Sequence, residues 1–496
     1  MKSGLLASRI LAALRFGVIF PVGIVLLRPM PTRWALAAMK RLRLDIRAAW
    51  EWERLYWLSR RNLSPRRRYI LLRVWAAVTW LGRGLAWGCA MEAAYRVYNL
   101  SWYLNELRKH AFLEGEILAV SKIIKREVSF ISDNLETASF NNHYAFNVFA
   151  MLIAGPINCR GDDDYWVAEL QRVLSQQFYP DGSNFEASTA YHQLMIEAIA
   201  RLVILRPDLR DHVSKSMNLT GAIVFSTKIA PESSLLWQVG DTDGSRVVDD
   251  GNTIAQLLQT AELGGSHQKC AASAFFPDFQ VSFHEVGELS LALWAPKLGQ
   301  GGRGGHNHAD CLSLTCAMGN RAVIGDPGVP LYALARRQFR SAAVHSVPFP
   351  ASEEVIKQVG AFQMSDPWPA MLFRSSANEA TARCLKSPDH GYERNVVFEP
   401  GEGAQIVDRA LGSAPHPCPK LAIDPNYKIE LIDKVHARIV PRDGKGRSLL
   451  IKAVEGITAI DIIDSWYSTA YFQLARSSIL RLISNQSRCR WRLEIL

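Results

Sequence analysis

Two histidines one residue apart, His306 and His308, lie in the glycine-rich stretch 304–310. Asp326 follows His308 by eighteen residues, and His345 follows Asp326 by nineteen. Imidazole nitrogens and carboxylate oxygens bind divalent metals, so a His, Asp, His set could hold one ion. The ligand types favour zinc and are also compatible with manganese or calcium. The alternative is that these are ordinary polar residues of glycine-rich turns.

The segment between His308 and Asp326 predicts how these two residues could meet. Residues 312–315 and 322–324 are typical of strands, and Met-Gly-Asn at 318–320 is typical of a turn between them. A hairpin places residues that are distant in the chain side by side. We therefore expect His308 and Asp326 to be neighbours in space.

A polar cluster, Asn-Asn-His-Tyr at residues 141–144, stands at the start of an apolar helix predicted over 146–154. Asparagine is a common helix cap, which is one interpretation of Asn142. A second cluster, residues 181–192, is a turn leading into another predicted helix. Its ionisable residues, Glu186, Tyr191 and His192, are more than a cap requires.

The elements that must position these groups change in character along the chain. Up to about residue 270, apolar residues recur at three- and four-residue spacing, which predicts helices. The longer predicted helices are 33–58, 69–87, 118–134, 165–178 and 194–205. Breakers such as Gly155-Pro156 separate them. We predict a domain of antiparallel helical hairpins over residues 32–270.

After residue 270 the pattern becomes period-two with glycine and proline turns, as in a β-sandwich. Predicted strands include 279–283, 289–294, 312–316, 396–398, 404–408, 428–432 and 449–452. We place this domain at residues 271–475. Residues 476–496 carry five arginines among apolar residues and are predicted to be a basic tail, either helical or poorly ordered.

The composition is that of a globular protein, with 496 residues, 48% hydrophobic and 21% charged, and the length favours two domains. A net charge of +10 suits a polyanionic partner. The polyanion could be a nucleic acid or an acidic polysaccharide, and no nucleic-acid-binding motif is visible that favours the first. The eight cysteines form no C-x-x-C pair, which argues against a zinc ribbon or a redox motif.

Residues 1–31 contain basic residues followed by an apolar run over 16–27. This run has the length of a signal-peptide core and is short for a membrane span. A signal peptide, a membrane-surface anchor and a buried helix are all compatible with it. The basic N-terminal side also suits peripheral contact with a membrane.

Five stretches together resemble the heparinase II/III-type polysaccharide lyases. They are residues 142–144, 181–192, 239–246, 304–310 with 326–328, and 339–345, in the family's order over roughly residues 90–410. The resemblance implies an α+β multidomain fold, with an N-terminal α/α toroid (an incomplete barrel) and a C-terminal antiparallel β-sandwich. It also implies cleavage of acidic polysaccharides by β-elimination in the cleft between the two domains.

The resemblance assigns roles to four residues. Tyr191 and His306 match the family's catalytic tyrosine and histidine, and which of them is the base stays open. Asn142, together with His143, matches the group that neutralises the uronate carboxylate. Such neutralisation is needed because the C5 proton is only weakly acidic while that carboxylate is charged. A base must then remove this proton, and an acid must protonate O4.

His308, Asp326 and His345 match the family's zinc ligands, and the resemblance implies a structural or organising role for the ion. Ser346 stands where the family usually has asparagine. Four other residues recur in the resemblance and are interpreted as fold support or cleft electrostatics: Glu186, Asp241, Arg246 and Arg340.

The leading hypothesis is a lyase for a uronic-acid-containing polysaccharide, working in the periplasm or cell envelope. Heparin-like, alginate-like and bacterial exopolysaccharides all fit, and a cytoplasmic location is the alternative. A second hypothesis is a non-catalytic glycan-binding or envelope polysaccharide assembly protein with the same fold. A third is a zinc hydrolase that uses the His308 metal. The sequence does not indicate an oligomeric state.

Overall fold

A computed structural model describes residues 53–60, 63–79, 84–109, 114–138, 140–158, 163–231, 237–242, 246–264, 273–332, 336–399, 403–471 and 473–496. The N-terminal apolar run, most of the helix predicted over 33–58 and the domain boundary near 270 lie outside these residues. Within them, no helix combines the length and the apolar character needed to cross a lipid bilayer.

The first half of the described chain is helical, as predicted. Its helices are α1 (Pro65–Val78), α2 (Ala90–Lys109), α3 (Glu114–Asp133), α4 (Asn142–Asn158), α5 (Asp163–Gln177), α6 (Thr189–Leu205), α7 (Arg210–Ser216), α8 (Leu219–Ile229) and α9 (Ile254–Thr260). Shorter 3-10 turns lie at Tyr56–Leu58, Leu85–Trp87 and Pro207–Leu209. Helix α2 packs on α3 and α4, and α4 packs on α5 and α6. Successive helices thus share one apolar core.

Helix α4 runs through the break that the sequence predicts at Gly155-Pro156 and ends at Asn158. Proline has no N–H with which to reach the carbonyl of Leu152. Arg206 supplies the missing donor, because its Nη1 donates to that carbonyl oxygen at 2.5 Å. The prediction of a break was wrong because a distant side chain satisfies the carbonyl that proline leaves unpaired.

The second half of the described chain is built from antiparallel strands. They are β1 (Ser273–Phe276), β2 (Val281–Val286), β3 (Leu289–Trp294), β4 (Ser313–Met318), β5 (Arg321–Ile324), β6 (Lys357–Gly360), β7 (Gln363–Ser365), β8 (Ala370–Ser376), β9 (Glu379–Ser387), β10 (His390–Glu399), β11 (Gly403–Gly412), β12 (Lys420–Ala422), β13 (Tyr427–Leu431), β14 (His436–Pro441), β15 (Leu449–Glu455), β16 (Ile457–Ala470), β17 (Gln473–Ser484) and β18 (Arg488–Ile495). Three short helical segments interrupt them: the turn Gly299–Gly302, α10 (Arg336–Phe339) and the 3-10 turn Ala342–Val344.

These strands form a five-stranded sheet in the order β1-β2-β3-β4-β5 and an eight-stranded sheet in the order β13-β14-β15-β18-β11-β10-β9-β8. Strands β12-β17-β16 and β6-β7 form two smaller sheets. One buried cluster contains Leu291 and Leu314 of the five-stranded sheet together with Val396 and Trp491 of the eight-stranded sheet. The two large sheets therefore share a core, as expected for a sandwich.

The predicted basic tail is wrong, because residues 473–484 and 488–495 are strands β17 and β18. Strand β18 lies between β15 and β11 inside the eight-stranded sheet. Its buried residues alternate with arginines, in the order Arg488, Cys489, Arg490, Trp491, Arg492, Leu493. Arg488 and Arg490 form ion pairs with Glu455 of β15, and Arg492 forms one with Glu399 at the end of β10. The charge of the segment concealed its period-two pattern.

An aromatic cluster joins the two halves. Phe225 of α8 contacts Phe276 and Phe283 of the five-stranded sheet, with ring centroids 4.8 Å and 6.2 Å apart. Trp294 packs on Phe283 at 5.3 Å. The helical half is thus fixed against one face of the five-stranded sheet, next to the loop that follows β3.

His192 connects α6 to α8. Its side chain is buried, and Nε2 donates to the carbonyl oxygen of Ala222 at 3.0 Å. Burial lowers the pKa of His192 from 6.5 to about 4, since the charged form would be deprived of water. The residue is therefore a neutral structural histidine, although it is a neighbour of Tyr191 in the sequence.

We expect a His192→Gln variant to lose less stability on acidification than the wild-type protein. The unfolded chain takes up the proton near pH 6.5 and the folded chain only near pH 4, so the wild type loses stability as the pH falls through this range. The glutamine side-chain amide can still donate to the carbonyl oxygen of Ala222, but it does not take up a proton in this pH range. Urea unfolding at pH 7 and pH 5 should show a decrease that is smaller by about 2 kcal/mol in the variant. Equal decreases in both proteins would contradict this assignment.

Candidate functional site

The side chains of Tyr191 and His306 are in contact, although they come from different halves of the chain. Their rings are stacked, with centroids 3.8 Å apart and planes inclined by 24°. Tyr191 lies in the first turn of α6, where the hydroxyl of Ser188 caps the helix by accepting from the Tyr191 N–H. His306 lies in the loop between β3 and β4. The structure thus brings together the two residues that the sequence predicts as the acid and base pair.

Asp241 contacts both histidines of the glycine-rich loop. Its Oδ2 lies 2.8 Å from His306 Nδ1, and its Oδ1 lies 3.2 Å from His308 Nε2. Burial alone would raise the pKa of Asp241, but the Arg336 guanidinium and the two histidines hold it well below its usual value. The carboxylate is therefore charged and accepts the His306 Nδ1 proton, which leaves Nε2 of that ring as the basic nitrogen.

Glu186 links Asn142 to His306. Glu186 Oε1 accepts from the backbone N–H of Asn142 at 3.0 Å, and Oε2 accepts from the side-chain amide of Gln300. The same Oε2 lies 3.5 Å from His306 Nε2. Among the described residues, the buried side-chain oxygen of Asn142 has no hydrogen-bond partner. Asn142 therefore belongs to the same group as His306, and its side-chain oxygen is left without a protein partner.

His143 makes different contacts from its neighbour Asn142. Its Nδ1 lies 2.8 Å from Glu136 Oε1 and 3.8 Å from Cys89 Sγ. Burial alone would lower the pKa of His143, but the hydrogen bonds to Cys89 and Glu136 raise it well above 6.5. The imidazole is thus held in its cationic form. Its predicted part in binding a uronate stays a prediction.

Three residues of the site lie outside the motifs that the sequence analysis singled out. The hydroxyl of Tyr332 lies 2.9 Å from that of Tyr191, and Gln300 and Arg336 contact Glu186 and Asp241. Arg336 precedes Arg340 by four residues, and this helical spacing could have pointed to it. Neither Tyr332 nor Gln300 carries a local signal, because only the tertiary fold brings them to the site.

The side chain of Arg340 binds the backbone of the glycine-rich loop. It is buried, and its guanidinium donates to the backbone carbonyls of Gly304 and Asn307, both at 2.8 Å. Burial lowers the pKa of Arg340 to about 10. These contacts support its interpretation as a residue that holds the fold.

The predicted metal ligands form a compact, buried group. His308 Nδ1 lies 3.1 Å from His345 Nε2 and 3.6 Å from Asp326 Oδ1, and His345 Nε2 lies 3.2 Å from Asp326 Oδ2. A tetrahedral zinc ion with bonds of about 2.0 Å needs ligand atoms roughly 3.3 Å apart. The donor set therefore fits a divalent cation. The predicted β4-β5 hairpin is confirmed, with Met318 paired to Arg321.

The remaining polar atoms of these side chains are also satisfied. His345 Nδ1 donates to the carbonyl oxygen of Ser341 at 2.8 Å, and Asp326 Oδ1 accepts from the Gly328 N–H at 2.8 Å. His308 is oriented through Nε2 by Asp241. Outer contacts of this kind fix the orientation of metal ligands. Burial would lower the pKa of His308, but Asp326 and Asp241 raise it to about 9.

We expect zinc to stabilise the wild-type protein more than an Asp326→Asn variant, since the variant lacks the anionic ligand. A site filled at 100 times its Kd stabilises the folded state by about 2.7 kcal/mol. Thermal unfolding with and without zinc measures the difference. His192→Gln serves as the control, because it changes a buried histidine outside the metal group and should keep the full response. An identical response in wild type and Asp326→Asn would exclude this group as the ligand set.

Comparison with known proteins agrees with this architecture. Residues 268–492 match the family model described as Heparinase II/III-like, C-terminal. No curated protein sequence matches the chain.

Similar solved structures include a mutant of the heparan sulfate lyase HepC from Pedobacter heparinus, with 16% identity, a TM-score of 0.60, and 91% of this chain and 77% of that chain covered. A heparinase III with methylated lysines has 15% identity and a TM-score of 0.60 over 85% of this chain and 67% of that chain. Another heparinase III has 12% identity and a TM-score of 0.59 over 82% and 69%. At these identities the likeness concerns the fold, and it confirms the predicted α/α toroid followed by an antiparallel β-sandwich.

Proposed function

Because residues 268–492 match the model of the heparinase II/III-like C-terminal domain, we propose that the protein is a polysaccharide lyase that cleaves a uronic-acid-containing chain by β-elimination. The observation that carries this proposal is the contact between Tyr191 and His306 at the junction of the two halves. Two groups able to exchange protons thus stand within reach of a single sugar residue.

The reaction requires one proton to leave C5 and another to reach O4. As the C5–H bond breaks, a C4–C5 double bond forms and the C4–O4 bond is lost, so no water is added. Nε2 of His306 is available for this exchange because Nδ1 is bound to Asp241. The Tyr191 hydroxyl is the second group, and the Tyr332 hydroxyl at 2.9 Å can pass a proton to or from it.

The uronate carboxylate must be neutralised before C5 becomes acidic enough. Asn142 belongs to the same buried group as His306 through Glu186. His143 is adjacent in the chain and is held as a cation. The amide of Asn142, with His143 beside it at the start of α4, would stabilise the negative charge that develops on the substrate.

The ion that His308, Asp326 and His345 would bind supplies a fixed positive charge that holds the β-half loops in place. Asp241 touches both His308 and His306. We assign the ion an organising role because its ligands are buried and one of them, His308, is bound to the same carboxylate as His306.

The substrate is proposed to be a sulfated or unsulfated uronate glycan, supported by two features. The structurally similar HepC is named as a heparan sulfate lyase. The chain also has a net charge of +10, which attracts polyanions. Such a substrate is consistent with work in the periplasm or cell envelope, which is part of the proposal.

A Tyr191→Phe variant should reduce turnover roughly 100-fold or more, because it removes one of the two proton-transferring groups. The measurement is the absorbance of the new C4–C5 double bond on a panel of uronate glycans. Tyr98→Phe is the matched control, since it removes a buried hydroxyl that donates to Ala198 within the helical core. We expect the control to keep wild-type turnover.

Absence of the double-bond signal on every glycan in a natively folded wild-type protein would refute the lyase proposal. Retained glycan binding in that case would indicate a non-catalytic binding protein. Products heavier by one water would indicate a hydrolase.

An Asp241→Asn variant should lower both kcat and zinc affinity by roughly 10- to 100-fold, since it loses the charged partner of both histidines. Asp250→Asn is the control, because Asp250 forms a comparable ion pair with Arg201 in the helical half. Turnover and zinc titration should both be normal in the control. If Asp241→Asn folds normally and keeps the wild-type kcat, His306 does not need this carboxylate for turnover.

A further inference from the structure

A second cluster of metal-ligating side chains lies in the helical half. It consists of Cys89 just before α2, Glu136 in the loop between α3 and α4, and His143 in the first turn of α4. Each residue offers one ligand atom, and the three atoms lie within 4.8 Å of one another. None of the three is part of the His308 group, and the organising ion proposed above uses none of them.

The distances in this cluster suit one small cation. His143 Nδ1 lies 2.8 Å from Glu136 Oε1, Cys89 Sγ lies 3.4 Å from that oxygen, and Cys89 Sγ lies 3.8 Å from His143 Nδ1. Tetrahedral zinc, with bonds of about 2.3 Å to sulfur and about 2.0 Å to nitrogen or oxygen, needs these atoms roughly 3.3 to 3.6 Å apart. Shifts of about half an ångström therefore complete the geometry.

The cluster is also held from outside, as metal ligands commonly are. Glu136 Oε2 accepts from the backbone N–H of Met91 at 2.8 Å, and the Glu136 N–H donates to Asn147 Oδ1 at 2.9 Å. The backbone of His143 donates to Asn141 Oδ1 at 3.1 Å. The carboxylate thus keeps its position independently of the thiol and the imidazole.

We propose that Cys89, Glu136 and His143 form a second metal site, specific for a zinc-class cation that accepts sulfur. The side chains of His143 and Glu136 are 36% and 24% exposed, so a fourth ligand can come from solvent. That ligand would be a water molecule or an anionic group. On binding, the thiol proton and the imidazole Nδ1 proton leave to solvent, and the carboxylate coordinates as it stands.

This proposal goes beyond the lyase function and does not rest on it. The His308 group offers only nitrogen and oxygen atoms, whereas the second site offers a thiolate. Cobalt distinguishes the two, because thiolate ligation gives Co²⁺ an intense charge-transfer absorption that nitrogen and oxygen ligands do not give.

The test is a titration of the reduced, metal-free protein with Co²⁺. The wild type should bind two equivalents and develop the thiolate band. Cys89→Ser should lose the band and one equivalent of Co²⁺, while Cys418→Ser, the control at a half-buried cysteine of the β half, should keep both. Asp326→Asn should lose the other equivalent of Co²⁺ and keep the thiolate band.

A wild-type protein without a thiolate band overturns the proposal, and so does a band that persists in Cys89→Ser. If Cys89→Ser does not fold, Glu136→Gln replaces it, because it keeps the thiol and the shape of the site; its Co²⁺ affinity at this site should fall at least about tenfold. An unchanged affinity in Glu136→Gln also overturns the proposal. Lyase activity is assayed separately, so failure of one proposal leaves the other standing.

Discussion

The structure depends on a single buried carboxylate, Asp241, which comes from the helical half and binds two histidines of the β half. A buried charge is costly unless it is paired and hydrogen-bonded. Here the compensation comes from Arg336, His306 and His308 together. Removing any one of them would leave a partly uncompensated charge in the interior. The proposed acid and base pair, the proposed metal ligands and the contact between the halves are therefore parts of one electrostatic unit.

This unit requires the backbone at Asp241 to approach the backbone of the loop that carries His306 and His308. The Asp241 N–H donates to the carbonyl oxygen of His306 at 2.9 Å. Gly240 makes the approach feasible, because its φ is +73° and a Cβ at this position would lie 2.7 Å from the same oxygen. Asp241 can therefore meet the histidine loop only because glycine precedes it. A change at Gly240 would disturb the site without touching any reacting group.

Much of this arrangement could be predicted from the sequence, but only where the signal was local or lay in a motif. The β4-β5 hairpin could be predicted from its turn residues. The contact between Tyr191 and His306 could be expected from the resemblance of the motifs that contain them to those of a known family. The structure at Pro156 and in strand β18 differs from the prediction because it depends on partners that are distant in the sequence. Arg206 donates to the carbonyl that Pro156 leaves unpaired, and Glu455 of β15 and Glu399 of β10 form ion pairs with arginines of β18. Tyr332 and Gln300 reach the site by tertiary folding alone, so no window of sequence contains them.

Two neighbouring residues in the first turn of α4, Asn142 and His143, contact two different clusters of side chains. Successive residues of a helix point about 100° apart. The backbone N–H of Asn142 donates to Glu186 of the His306 group, while the side chain of His143 contacts Cys89 and Glu136. The two clusters are separate sets of side chains on one rigid helix end. A divalent cation bound by His143 would take the place of the thiol and imidazole protons, so the net charge beside the amide proposed to receive a uronate would stay the same, and none of the residues that Asp241 holds in place would be displaced.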